Sequence, residues 1–237
     1  MNNKKLSIII PAYNEEKTIS QLLEKVIQVK IPLKKEIIIV NDGSKDKTQQ
    51  KCEEFIKQHP NENIILINKK NGGKGSALKR GMEESTGDIL LIQDADLEYD
   101  PEDYVKLIKP FENPKVKVVY GSRLKNKKNK FGHLSFLLGG IAVTAATDIL
   151  FFAKLTDEPT CYKVFHKDLK ELLINAEGNK FDWEPEVTAK ILRKGYKIKE
   201  IPIRYYPRKK SEGKKINWKD GVSTIITLLK WRFKKIN

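Results

Sequence analysis

The chain is poor in residues that build covalent or metal frameworks. Its 237 residues include two cysteines, Cys52 and Cys161. Two are too few for a disulfide scaffold, and no Cys-x-x-Cys pair offers a zinc site. Both read as reduced, buried thiols. The histidines His59, His133 and His166 are scattered, which excludes a histidine metal cluster. Fourteen glycines and ten prolines are ordinary for a folded enzyme and exclude collagen-like or low-complexity chains. No secretory leader is expected, because the first residues run straight into the apolar stretch Leu6–Ile10. A clean apolar run of about 20 residues is also missing. The longest stretch, Leu134 to Ala153, carries Asp148, two adjacent glycines and small polar residues. It reads as buried or interfacial. The expectation is a cytoplasmic protein in a reducing compartment, peripheral at a membrane face.

Charge of one sign is abundant. Lys plus Arg is 46 against 31 Asp plus Glu, a net +15. Residues 1–120 are nearly balanced, with 20 basic and 19 acidic groups, whereas residues 161–237 carry 20 against 9. The last third therefore calls for an anionic partner: a phosphate, a nucleic acid or an anionic membrane surface. With 40 Lys and only 6 Arg, a solvated lysine surface accounts for part of this excess. It accounts less readily for the cluster at 208–215.

The first 120 residues alternate between short apolar runs and helical patterns. Strands are expected at Leu6–Ile10, Glu36–Val40, Asn63–Ile67, Asp88–Gln93 and Lys115–Val119. Helices are expected at Glu16–Val29, Lys45–Gln58, Gly75–Ser85 and Glu102–Ile108. Such alternation predicts an α/β fold, a mostly parallel sheet with helices on both faces. Right-handed crossovers then bring the strand C-termini to one edge, where ligands bind. Beyond residue 120 the pattern changes. Helical apolar material runs to about Ala153, a strand is expected at Cys161–Phe165, a helix at Glu184–Arg193 and an extended run at Tyr196–Tyr206. A final amphipathic helix is expected at Trp218–Phe233, capped by Asn217. Its stripe is Trp218, Val222, Ile225, Leu229 and Phe233, packed on the core or facing a membrane.

Polar motifs fall at the strand ends. They are Pro11-Ala12-Tyr13-Asn14-Glu15-Glu16, Asn41-Asp42-Gly43-Ser44, the loop Asn71-Gly72-Gly73-Lys74-Gly75, and Asp94-Ala95-Asp96-Leu97-Glu98. Any one of them could be loop chemistry; four at a single sheet edge indicate a site. Two carboxylates at i and i+2 after an apolar strand suit a hard divalent cation, Mg²⁺ or Mn²⁺, which also takes phosphate oxygens. Asp100 and Glu102 are explained instead by capping of the helix that Pro101 begins. A Walker loop is excluded, since Lys74 is followed by glycine. A dinucleotide fingerprint is excluded because the first turn lacks glycines, and no Gly-x-Ser-x-Gly elbow exists.

With these motifs the chain resembles glycosyltransferase family 2, and within it the polyprenyl-phosphate hexosyltransferases of the dolichyl-phosphate mannose synthase type. The narrower signals are Gly121-Ser122-Arg123, Thr156-Asp157 with Thr160-Cys161-Tyr162-Lys163, Phe181 with Glu184 and Glu186, Ile201-Pro202-Ile203, and Arg208 through Lys214. The resemblance implies a GT-A fold over residues 1–215, with a nucleotide-binding half to residue 120 and an acceptor half beyond it. Residues 216–237 would form the appended helix. The implied reaction moves a hexose, with inversion, from a nucleoside-diphosphate sugar to a polyprenyl phosphate.

The implied roles follow residue by residue. Pro11, Tyr13 and Glu15 line the base and ribose pocket, and Asp42 holds the base. Lys74, Asp94 and Ala95 lie on the nucleotide and sugar side. Asp96 and Glu98 bind the metal, and Arg123, Arg208 and Lys214 meet phosphate. Asp157, Glu184 or Glu186 would serve as base if the acceptor were a hydroxyl. That hydroxyl acceptor, on a glycan or a protein, is the alternative within the same fold. Nucleic-acid binding is suggested by charge alone, and the acidic cluster together with the lack of a recognised motif argues against it.

Overall fold

The computed structural model describes residues 4–132, 134–208 and 218–236. Seven strands form one sheet in the order β3-β2-β1-β4-β6-β5-β7. One side of it, from the β3 edge to the middle strand β4, is built from the isoleucine- and leucine-rich runs: β1 (Lys5–Ala12), β2 (Lys34–Asn41), β3 (Ile64–Asn68) and β4 (Ile89–Ile92). These four pair in parallel. Ile8, Ile9, Ile10 and all four residues of β4 are fully buried, as a sheet covered on both faces requires.

Successive side chains of a strand point to opposite faces, and β2 shows the consequence. Ile37 and Ile39 belong to the main core, together with Leu22, Leu23 and Val26 of α1 (Ile19–Gln28) and Cys52 and Phe55 of α2 (Thr48–Gln58). Ile38 and Val40 instead pack on Ala77 of α3 (Lys74–Glu84). Gly81 of α3 lies against Ile9, where an added Cβ would come within 2.6 Å of a methyl group. The absence of a side chain there lets α3 sit close to the sheet. A short helical segment at Pro101–Asp103 leads into α4 (Tyr104–Ile108), and Asp100 caps it by accepting a hydrogen bond from the Glu102 amide.

The second half completes the same sheet. β5 (Val118–Ser122) begins three residues later than the sequence suggests, after a turn through Asn113 and Val116. β6 (Lys163–His166) inserts between β4 and β5 and runs antiparallel to both. β7 (Ile198–Pro202) pairs in parallel with β5 and is shorter than the extended run expected at Tyr196–Tyr206. The C-terminal ends of β1, β2, β4, β5 and β7 consequently share one edge.

Helix α5 (Leu134–Phe151) is long and apolar enough to cross a membrane by length and composition, yet little of it is buried. A short helix, α6 (Lys170–Ile174), which sequence reading missed, precedes α7 (Trp183–Arg193). The last helix, α8 (Trp218–Phe233), packs against α5 and α7. Its buried face differs from the expected stripe. Leu228 and Trp231 are buried against Val143 of α5 and Ala189 of α7, whereas Val222, Leu229 and Phe233 are exposed.

Candidate active site

Backbone geometry shapes the edge first. After β2 the chain turns at Gly43, whose φ of +70° favours glycine; an added Cβ would lie 2.7 Å from the Asn71 amide nitrogen. Asp42, read as a contact to the base, directs its carboxylate into this turn. It accepts hydrogen bonds from Lys69 Nζ (2.6 Å), the Gly72 amide (2.9 Å) and the Gly73 amide (2.8 Å). Its direct effect is to hold the loop that presents Lys74. Asn41 accepts from the Ser44 amide, and Asn14 from the Lys45 amide, tying the ends of β1 and β2 together. Pro11 and Tyr13 are half-buried at the end of β1.

Lys74, at the start of α3, bridges two carboxylates. Its Nζ lies 2.7 Å from Asp94 and 2.8 Å from Glu184 at the start of α7. Burial alone would push the Asp94 carboxyl up, but Lys74 beside it holds it below the usual carboxylate range. Burial likewise opposes the Lys74 charge, and the two carboxylates overcome it and keep the lysine firmly protonated. The Asp94 amide is held by the Cys161 sulfur at 3.2 Å, which gives this buried thiol a structural task. Glu186, two residues further along α7 and so on roughly the opposite face of the helix, does not join the site. It accepts from the Glu177 and Gly178 amides and pairs with Lys190 at 2.6 Å.

Two residues beyond Asp94, the acidic cluster meets a second cation. Arg208 Nη2 lies 2.5 Å from Asp96, and Nη1 lies 3.3 Å from Glu15. The Arg208 amide donates to Glu98 at 2.7 Å, and Tyr205 Oη donates to the other Glu98 oxygen. Residues 112 positions apart in sequence are thus joined directly. Asp96 is pushed up to about 7 by burial and by the Asp94 charge, which Arg208 only partly offsets. Ala95 is buried between the acids, and its carbonyl accepts from Thr18 Oγ1.

Arg123, read as a phosphate contact, is engaged elsewhere. Its Nε and Nη2 form a paired contact with Asp157 at 2.8 and 2.6 Å, and its backbone amide adds a third bond at 2.7 Å. The guanidinium also lies over the Tyr205 ring, 5.2 Å from its centroid. Asp157, read as a possible base, has both oxygens on this one arginine. Lys214 and Asn217 lie outside the described residues.

Divalent-metal chemistry can be tested on the donor set. Among the described residues no three carboxylate, histidine or cysteine side chains converge as a ready-made cage. A Mg²⁺-type site does not need one; one or two carboxylates suffice when substrate phosphates and water supply the rest. Asp96 and Glu98 meet that requirement. Four buried side-chain polar atoms lack a hydrogen bond among the described residues; of these, Glu184 Oε1 still faces Lys74 Nζ at 2.8 Å as an ion-pair partner, whereas Arg208 Nε has no partner among them. A third, Thr160 Oγ1, belongs to the neighbour of Cys161. Buried polar groups left without hydrogen bonds are uncommon in folded proteins, and Arg208 Nε beside the acidic cluster fits a ligand that offers it an acceptor.

Comparison with known proteins agrees with the architecture. The chain is 32% identical over 213 residues to a dolichyl-phosphate β-glucosyltransferase of Trichomonas vaginalis, covering 84% of this chain and 65% of that protein. It is 28% identical over 218 residues to a dolichol-phosphate mannosyltransferase of Pyrococcus furiosus, covering 89% and 59%. The chain thus spans about two thirds or less of these relatives' length. Among solved structures, glucosyl-3-phosphoglycerate synthase of Mycobacterium tuberculosis, in complex with Mn²⁺, UDP and phosphoglyceric acid, superposes with a TM-score of 0.73. That match covers 98% of this chain and 80% of the other at 17% identity. A mannosyltransferase of Pyrobaculum calidifontis, in complex with GDP-mannose and Mn²⁺, gives 0.62 over 84% and 55% at 22% identity. At such identities the likeness concerns the fold, which is GT-A. The model of glycosyl transferase family 2 matches residues 7–172, and the chain belongs to that family.

Proposed function

We propose that the protein is an inverting hexosyltransferase that uses a nucleoside-diphosphate sugar, of the UDP-glucose or GDP-mannose type, and a polyprenyl phosphate acceptor. The observation that carries the choice of acceptor is the state of the candidate bases. Glu184 is paired with Lys74, Asp157 with Arg123, and Glu186 with Lys190 and two amides. A hydroxyl acceptor needs a base to take its proton. A phosphate monoester is already anionic and needs only to be held and aimed. The kinship with polyprenyl-phosphate sugar transferases supports the same reading.

The nucleotide would lie over the ends of β1 and β2, in the half up to residue 120, with Pro11, Tyr13 and Glu15 along its base and ribose. Asp94, fixed by Lys74, faces the sugar. Asp96 and Glu98 would hold Mg²⁺ or Mn²⁺, which would supply positive charge to stabilise the negative charge growing on the departing diphosphate. Arg208 supplies a guanidinium for phosphate, suited to paired hydrogen bonds. Arg123 sets the position of Asp157 and of the Tyr205 ring, and so shapes the acceptor side.

Access to a lipid acceptor requires contact with a membrane. On α5, Leu134, Leu138, Ile141 and Ile149 are exposed; on α8, Val222, Ile226, Leu229 and Phe233 are exposed. The two helices pack together, and Arg232 lies over the Phe152 ring beside them. In this reading α5 lies along the cytoplasmic face of the membrane. Val143, Thr144 and Thr147 tie it to the catalytic body.

The test is incubation with Mn²⁺, a short polyprenyl phosphate and radiolabelled UDP-glucose or GDP-mannose in parallel, followed by organic extraction. Label should enter the lipid phase with one donor and vanish in Asp96→Ala. Metal-dependent nucleotide binding without lipid label would move the acceptor to a hydroxyl.

A further inference from the structure

We infer that Arg208 is a built-in stand-in for the divalent cation, so that metal and nucleotide must displace it before it can serve the acceptor phosphate. The inference rests on the reading of Asp96 and Glu98 as the metal-holding pair. Glu15, Asp94, Asp96 and Glu98 crowd four carboxylates at the ends of β1 and β4. Lys74 answers Asp94. Arg208 answers Asp96 and Glu15 with its side chain and Glu98 with its backbone amide. Both carboxylates that would hold the cation are therefore engaged by Arg208, Asp96 through the side chain and Glu98 through the backbone amide, with Tyr205 on the other Glu98 oxygen. Its side chain is largely buried, with Nε left without a hydrogen bond. A guanidinium closed into a carboxylate cluster with one donor unsatisfied is a compromise arrangement. Buried polar groups are normally satisfied, and a phosphate would offer Nε the acceptor it lacks.

The exchange follows from like charge. A divalent cation on Asp96 and a guanidinium on the same carboxylate repel each other, so arrival of one favours departure of the other. Metal alone gains little, because it must break the Arg208 contacts with only two carboxylates and water in return. Metal with a nucleoside diphosphate gains phosphate ligands as well and wins the exchange. The released guanidinium then faces a site that still needs positive charge, that of the acceptor phosphate. The consequence is an order of binding: nucleotide with metal first, lipid phosphate second.

The experiment measures Mn²⁺ binding by titration calorimetry, without activity, for the wild-type chain and for Arg208→Gln and Arg208→Lys. Each is titrated with and without UDP or GDP. The expected result is weak Mn²⁺ binding by the wild type alone, about tenfold tighter in Arg208→Gln, with Arg208→Lys near wild type. Short-chain polyprenyl phosphate should bind the wild type measurably better once Mn²⁺ and nucleotide are present, and this gain should be lost in Arg208→Gln. Equal or weaker Mn²⁺ binding by Arg208→Gln, with nucleotide-dependent Mn²⁺ binding intact in the wild type, overturns the exchange and leaves the proposed function standing. No Mn²⁺ binding by any form with either nucleotide overturns both.

Discussion

Lys74 shows how single residues set this site. It lies between Asp94 and Glu184, and without it two half-buried carboxylates would face each other without that shared cation. Removing one partner of a buried ionic group leaves uncompensated charge, which typically costs 3–5 kcal/mol. Lys74→Met should lower unfolding stability by about 3 kcal/mol in urea titration, with weaker nucleotide-sugar binding. The companion change Glu184→Gln should cost less than half of that, since Asp94 keeps the lysine. The acids at the end of β4 were legible in the sequence, because two carboxylates directly after an apolar strand have few structural explanations. Their partners were not legible. Glu15, Asp96 and Arg208 are distant in the chain, and the choice of lysine or arginine for each acid is made by the folded geometry.

Elements carry a different kind of constraint. Glu36 of β2 is buried and gathers the chain before β4. It accepts from Ser7 Oγ, from the Thr86 amide and hydroxyl at 2.6 and 2.7 Å, and from the Gly87 amide at 3.1 Å. Burial raises its pKa, but these donors outweigh that and hold it below the usual carboxylate range. A depressed carboxyl contributes stability that is present above its unfolded pKa and lost as pH falls through its folded one. Glu36→Gln should therefore cost about 2 kcal/mol at pH 7, as hydrogen bonds to a charged acceptor suggest. The difference from wild type should shrink below about pH 4. Urea melts at pH 7 and pH 3.5 would show it; a difference that grows in acid would contradict the assignment. At this scale the parallel strands were legible from their isoleucine runs. The strand at β6 was legible as well, but its antiparallel direction was not, because Lys163–Phe165 is as buried as β4 and β5 and gives no alternation to read. Helix α6 is short and follows a single 3-10 turn, which leaves too few residues for periodicity to register.

At the scale of the molecule, the question is what α5 and α8 face. The sequence showed an apolar stripe on α8 but not which side would pack, since Ile225, Leu228 and Trp231 fit helical spacing as well as Val222, Ile226, Leu229 and Phe233. Folding uses the first set, with Trp231 under the Lys190 ammonium at 4.1 Å from the ring. The second set remains outside. Ile226→Glu combined with Phe233→Glu should abolish pelleting with anionic phospholipid vesicles. Exposed substitutions of this kind change stability little, so Tm should move by no more than about 2 °C. Unchanged pelleting would contradict the membrane-facing reading of α8. Substitution of the buried Trp231 by alanine should instead cost about 3–5 kcal/mol in denaturant, because it opens a cavity between α7 and α8.

The central claim is that the acceptor brings its own negative charge, because each candidate base is held by a cation. One competition measures it. Polyprenyl phosphate and the corresponding free polyprenol are mixed in equal amounts with the chain, Mn²⁺ and the labelled nucleotide sugar, and the extracted lipids are separated by charge. The account predicts label in the phosphate-linked product alone. Label on the free alcohol would contradict it, because a working base would then exist at this sheet edge.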